Sequence, residues 1–367
     1  MAGERMEPFH IPRWKPITHC CADACGHGPA GGPGHRAESG ASRRELLLGA
    51  AGAAAALAAL AGLERTVTAQ GRNMPAPPPL ASPLEGLIDF HTHSSPDIFA
   101  RSLDDEQLAS MYRDRALEAV VFKNHVVATA DRAFLARKRV PGIKIFGGVT
   151  LNGAVGGINP EAVGYMHAME GRLGRIVWLP TFDADNHVKF FKEAPAGIKT
   201  VGPDGKVLPA VQEVLKLCAK EKLVLCTGHA ASGEVLAIVE AARDAGCDRI
   251  VVTHAQFAVV NLTEEQMKQA AKMGAKLEIC AMGVLQGDRA ILASQKSWRY
   301  VSLQETADRI KAVGAENFVL GTDLGQAGHP TPADGLTAFA TGLMAQGITK
   351  DQIRTLGREV PGKLLLG

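Results

Sequence analysis

Leu87-Ile88-Asp89-Phe90-His91-Thr92-His93 is a short aliphatic run that ends in His-x-His. Side chains alternate along a strand, so His91 and His93 share a face and can chelate one ion. With Leu87 to Asp89 read as a first buried strand, seven further runs read the same way: Ala119 to Phe122, Ile143 to Val149, Arg175 to Leu179, Leu223 to Cys226, Arg249 to Val252, Lys276 to Cys280 and Asn317 to Leu320. The stretches between them carry helical period and punctuation. Asn159 caps a helix that has Pro160 at its first position, Thr263-Glu264-Glu265-Gln266 is a capping box, and Val235 to Ala245 stops at Gly246. Eight β-α units in about 280 residues predict an α/β chain folded as a (β/α)8 TIM barrel. An open doubly wound sheet would show a glycine-rich first turn such as G-x-G-x-x-G, and no strand leads into one.

Histidine placement carries the functional reading. Of the 12 histidines, four (His10, His19, His27, His35) precede residue 70. Of the rest, His91, His93, His125, His229 and His254 fall at or just beyond the carboxyl ends of predicted strands, and only His167 falls on a predicted helix. In a barrel those ends converge on one mouth. Lys123-Asn124-His125 ends the second strand, Gly228-His229 the fifth, Thr253-His254 the sixth and Gly321-Thr322-Asp323 the eighth. Several histidines with one carboxylate supply three or four ligands, a base and room for water, the composition of a catalytic metal site.

This set and order resemble the amidohydrolase superfamily of TIM-barrel metal-dependent hydrolases. Asp89-Phe90-His91-Thr92-His93 matches its first-strand signature, His229 and His254 its fifth- and sixth-strand histidines, and Asp323 its eighth-strand aspartate. Gly147-Gly148-Val149-Thr150-Leu151-Asn152, Gly156-Gly157-Ile158-Asn159-Pro160 and Val177-Trp178-Leu179-Pro180-Thr181 further resemble an uncharacterised subgroup. The resemblance implies one or two divalent ions, zinc by the histidine-rich shell, held by His91, His93, Lys123, His229, His254 and Asp323. Asp323 and His254 are the implied catalytic pair, Asp323 taking a proton from the activated water and His254 orienting that water. The carboxylated lysine common on the fourth strand is missing, because that strand ends Trp178-Leu179-Pro180-Thr181-Phe182-Asp183-Ala184-Asp185. Lys123 is the nearest substitute, and the other reading makes it a cation that binds an acidic substrate or pairs with Asp183 or Asp185.

The implied reaction is hydrolysis of a small amide, cyclic amide, ester or lactone. A decarboxylase on the same barrel stays open, as does a phosphoesterase that recruits His125, Asp183, Asp185 and His187. A catalytically inactive exported metal-binding barrel predicts a missing ligand or base. A nucleoside deaminase fits poorly, since Ala230-Ala231-Ser232-Gly233-Glu234 places no glutamate where that chemistry needs one. Three segments are expected around the mouth: Asn152 to Asn159, Gln326 to Gly335, and Phe182 to Leu208, in which Ile198 to Val207 reads as a β-hairpin that serves as lid or homo-oligomer contact.

Composition removes other classes. The chain has 367 residues, 46% hydrophobic and 21% charged, with 40 Lys plus Arg against 38 Asp plus Glu. A formal charge of +2 offers no field for nucleic acid. Residues 1–69 read as a disordered leader and twin-arginine signal, 70–85 as a Pro-rich linker and 86–367 as the barrel. Arg43-Arg44 precedes an apolar run from Leu46 to Leu63, and Val67-Thr68-Ala69 resembles a peptidase site. Cys20, Cys21, Cys25, His27 and His35 lack the paired spacing of a zinc module and belong to the leader. Cys218, Cys226, Cys247 and Cys280 are expected to form no disulfide framework. The twin-arginine machinery is thus an expected partner and the periplasm the expected location, with a mature chain from Gln70 or Gly71. Replacing Arg43 and Arg44 by Lys should retain the protein in the cytoplasm, measured by cell fractionation; unchanged periplasmic recovery would contradict export by this route.

Overall fold

The computed structural model describes residues 85–193 and 196–367. The signal, the cysteine cluster of the leader and all but the last residue of the linker lie outside the described residues. Eight strands, β1 (Ile88–Thr92), β2 (Ala119–Phe122), β3 (Lys144–Thr150), β4 (Gly174–Trp178), β5 (Val224–Cys226), β6 (Ile250–Val252), β7 (Lys276–Cys280) and β8 (Phe318–Gly321), pair in parallel in sequence order. Around them stand α1 (Asp105–Asp114), α2 (Ala130–Arg139), α3 (Pro160–Ala168), α4 (Asp185–Phe191), α5 (Pro209–Glu221), α6 (Ser232–Asp244), α7 (Glu264–Lys272), α8 (Leu303–Val313), α9 (Pro332–Ala345), α10 (Lys350–Arg354) and α11 (Val360–Leu366). The ring closes between the tips of β1 and β8. His91 O accepts from Asp323 N at 2.8 Å, and His93 N donates to Leu324 O at 2.8 Å. This is the (β/α)8 barrel expected from the sequence.

The strands are apolar throughout because a parallel barrel covers both of their faces. Phe90, Phe122, Ile145, Trp178 and Phe318 are among its fully buried side chains. Local signals set the helices between them. Asp104 accepts from Gln107 N at 2.8 Å while Gln107 Oε1 accepts from Asp104 N at 3.0 Å, a reciprocal cap that starts α1. Asn159 caps α3 ahead of Pro160, and Thr263 with Gln266 caps α7. Cys218, Cys226, Cys247 and Cys280 are buried free thiols.

Three expectations need correction. The first strand runs to Thr92 rather than Asp89, because its tip is paired on both sides, to Val121 and Phe122 of the second strand and to the residues just after the eighth. The predicted hairpin at Ile198 to Val207 is one antiparallel bridge, Val201 to Val207, closed by Gly202 N to Lys206 O at 2.7 Å. With Pro203 and Gly205 setting a tight turn, too few residues remain on either side for strands. The same connection holds α4, so His187 as well as His167 is helical.

Gly148 on β3 shows how tightly the barrel is packed. A Cβ there would stand 2.2 Å from Ile176 O and 2.6 Å from the Trp178 ring. Gly164, inside α3, would meet nothing within 4 Å. Chemical denaturation should therefore show Gly148→Ala losing roughly 3 kcal/mol or more. Gly164→Ala should gain roughly 0.5–1 kcal/mol on the same measurement. Equal effects of the two changes would contradict the packing described.

Candidate functional site

Glu278 lies at the middle of β7 with no exposed surface, a carboxylate inside the barrel. One oxygen lies 2.9 Å from His91 Nδ1. The other lies 3.2 Å from His254 Nδ1 and accepts from His254 N at 3.0 Å. Burial alone would raise its pKa, but the two imidazoles outweigh burial and hold it well below the usual carboxylate range. An ionised Glu278 can only accept, so each Nδ1 carries the hydrogen and each Nε2 keeps a lone pair.

Those lone pairs face another acceptor. His91 Nε2 lies 3.2 Å from Asp323 Oδ1 with no hydrogen bond between them, His93 Nε2 lies 3.0 Å from the same oxygen, and His254 Nε2 lies 3.6 Å from Asp323 Oδ2. Asp323 is likewise held well below its usual pKa: burial opposes ionisation, and its electrostatic interactions with His91, His254 and His93, the last through a hydrogen bond, overcome it. Burial also lowers the pKa of His91, His93 and His229, leaving them neutral imidazoles. His93 Nε2 hydrogen-bonds Asp323, but the buried Nε2 atoms of His91 and His229 have no hydrogen-bond partner, and a shared cation would satisfy them beside an ionised carboxylate, so this donor set fits a divalent metal. Among the described residues two sets of ligand atoms lie within 4.8 Å of one another: His91, His93 and Asp323, and His91, His254, Glu278 and Cys280.

Backbone conformation places two of these groups. His254 and Asp323 follow β6 and β8 with φ of +49° and +55°, in the left-handed region that a non-glycine residue adopts at a cost of about 1–3 kcal/mol. The turn swings each side chain back over the strand end. Asp89 anchors the β8 turn from below, accepting from Thr322 N at 2.9 Å, from His91 N at 3.1 Å and from the Tyr112 hydroxyl. Burial raises Asp89 to about 7 against those hydrogen bonds.

All six side chains expected as ligands stand at the mouth, but not in equal relation to one another. His229 falls outside the two close sets of histidine, cysteine and carboxylate ligands. His229 Nδ1 lies 2.8 Å from His187 Nδ1 on α4, while its Nε2 is buried without a partner. Lys123 Nζ is also buried without a hydrogen bond, 5.5 Å from the Trp178 ring, and burial lowers its pKa. His125 is stacked between His93 and Phe182, with Nδ1 3.0 Å from the Thr181 hydroxyl. Asp183 accepts from Gly153 N and Asp185 pairs with Lys189 within α4, so neither pairs with Lys123. Glu278 was missed, and His187 was named only for the phosphoesterase alternative. The signal for Glu278 was a carboxylate in the middle of the buried run Lys276 to Cys280, on the same face as Cys280.

Above this floor a cavity opens to solvent, walled by Phe99, Phe182, Phe257 and Trp298 with Arg101 on one side. Phe182 and Gln326, from two of the three segments expected around the mouth, line it.

Residues 86–278 match the family described as "Family of unknown function (DUF6282)". No curated protein matches the chain. Among solved structures, an organophosphate hydrolase engineered from a weak promiscuous lactonase template aligns at 16% identity and TM-score 0.50, over 78% of this chain and 97% of that one. The organophosphorus hydrolase of Deinococcus radiodurans aligns at 15% identity and TM-score 0.50, over 78% and 93%. A dipeptidase described as a metallopeptidase aligns at 14% identity and TM-score 0.50, over 77% and 98%. At such identities the likeness is one of fold, the amidohydrolase-superfamily barrel that the sequence resembles.

Glu278→Gln keeps the volume while removing the charge that fixes both imidazoles. Competition against a chromophoric chelator should show zinc affinity falling roughly 10- to 100-fold. Unchanged affinity would contradict the positioning role of Glu278.

Proposed function

The chain belongs to the DUF6282 family, and we propose that it is a metal-dependent hydrolase acting on a small amide, cyclic amide, ester or lactone. The observation that carries this reading is the meeting of His91, His93 and His254 Nε2 on the two oxygens of Asp323, within 3.0–3.6 Å. His91, His93 and Asp323 would hold the ion, with His229 Nε2 and His254 Nε2 beside them. A histidine-rich donor set favours zinc. The ion's contribution when bound is Lewis acidity and ionised water near neutral pH.

The chain's own groups handle position and protons. Asp323 Oδ1 faces His91 and His93, which leaves Oδ2, on the His254 side, to accept the proton of the attacking water. As water oxygen bonds to the carbonyl carbon, the C–N or C–O bond breaks and that proton leaves with the amine or alcohol. His254, fixed by Glu278, holds the water in line. Phe182 and Trp298 exclude bulk solvent and hold the rest of the substrate.

Lys123 supports a two-ion version of the same site. An ammonium buried without a partner is costly. A carbamate on Nζ would convert that cation into an anionic ligand. Export through the twin-arginine route, proposed from the leader, would deliver the barrel folded with its metal installed.

Two variants test the reading. Asp323→Asn should keep most of the bound metal yet lose roughly 100- to 10,000-fold in turnover. Lys123→Ala should lower the metal stoichiometry from two ions to one if Lys123 carries a carbamate, and leave it constant with a raised KM if it binds substrate. Metal content by mass spectrometry, with kinetics on an amide, lactone and phosphoester panel, decides both. Full activity in Asp323→Asn would overturn the mechanism.

A further inference from the structure

Arg101 lies in the loop between β1 and α1, with its side chain only 3% exposed. That loop is stitched to the one after β8: Ser102 N donates to Gly325 O at 2.8 Å, Ala327 N to Ala100 O at 3.1 Å, and Arg101 bridges Gln326 in antiparallel register. The guanidinium is oriented by Asp97, whose Oδ2 accepts from Nε at 2.8 Å and from Nη2 at 2.7 Å. Asp97 Oδ1 is occupied by Ile98 N at 2.7 Å. A guanidinium offers five N–H donors, and Asp97 takes two of them. Among the described residues Nη1 has no hydrogen-bond partner. Arg101 also lines the cavity above the histidines, and its charge helps depress His93 and His125. Fixed, nearly buried and with donors unmet, it is arranged as an anion fork rather than as a solvated surface cation.

The rest of the cavity describes what the anion is attached to. Phe99 meets Phe182 edge to face at 5.9 Å, and Phe182 stacks on His125 at 4.1 Å, so one wall is a run of ring faces. Gln326 donates from Nε2 to Asp323 O at 3.0 Å, which assigns its amide and leaves Oε1 buried without a partner. Gln286 Oε1 is likewise buried and unpartnered at the cavity lining. Such oxygens call for N–H or O–H groups on a ligand.

We propose that the substrate is a small planar carboxylic acid, aromatic or cyclic, whose carboxylate docks on Arg101 while the bond to be cleaved lies over Asp323. This deepens the hydrolase reading and rests on it. Arg101 and Asp323 line one cavity, so a single small molecule reaches both. Arg101 would be the specificity-determining residue.

Benzoate and its uncharged counterpart benzyl alcohol, titrated calorimetrically into the metal-loaded full chain, test the fork. Benzoate should bind roughly 10- to 100-fold more tightly. Arg101→Gln should abolish that preference, and Arg101→Lys should keep part of it, because an ammonium retains the charge without the fork. Equal binding of the two probes to the wild type would overturn the proposal even where a variant fails to fold. So would a preference that survives in folded Arg101→Gln, since benzoate would then be held by the ion or elsewhere. Amides and lactones with and without a carboxylate separate this from the reaction class. Turnover indifferent to the carboxylate overturns the fork alone. No turnover, with Arg101-dependent benzoate binding, upholds the fork and overturns the hydrolase reading.

Discussion

One carboxylate inside the barrel organises the mouth. Glu278 is shielded from solvent, so its stability depends on His91 and His254 keeping their Nδ1 hydrogens on its two oxygens. That requirement fixes both tautomers and turns both Nε2 atoms towards Asp323. Around this pair the other features are supports. Asp89 ties the tips of β1 and β8 together, and the left-handed turns at His254 and Asp323 hold strain that a protein without need of these side chains would shed. The barrel floor below is ordinary close packing, in which even one methyl group at Gly148 has no room.

Much of this was legible in the sequence for one physical reason. Parallel strands covered on both faces are continuous apolar runs, so all eight could be located to within a few residues, and polar groups at their ends stood out against them. His91, His93, Lys123, His229, His254 and Asp323 were visible on that ground alone. Glu278 was hidden by the same rule, because Leu277 and Ile279 make its run read as plain core, and its partners lie 187 and 24 positions away. His187 was named only for the phosphoesterase alternative, and its pairing with His229 was hidden. Its helix has seven residues inside a long connection, too short for a period to declare itself, and its role is defined by His229 across the mouth. Arg101 and Asp97 stand four apart in a loop, where spacing carries no rule for contact and only the fold brings the pair together.

The division of labour suits a barrel. Rigid strand ends place the groups that meet on Asp323, while the βα loops supply Phe99, Arg101, Phe182, Gln326 and Trp298, which surround whatever binds above. Loop substitution can therefore change what binds above without disturbing the groups that meet on Asp323.

The central claim is that a cation belongs between the imidazoles and Asp323. Anomalous diffraction at the zinc edge, from crystals of the zinc-saturated protein, tests it most directly. The account predicts a strong peak among His91 Nε2, His93 Nε2 and Asp323. A peak confined to other residues, or none there at saturating zinc, would contradict it.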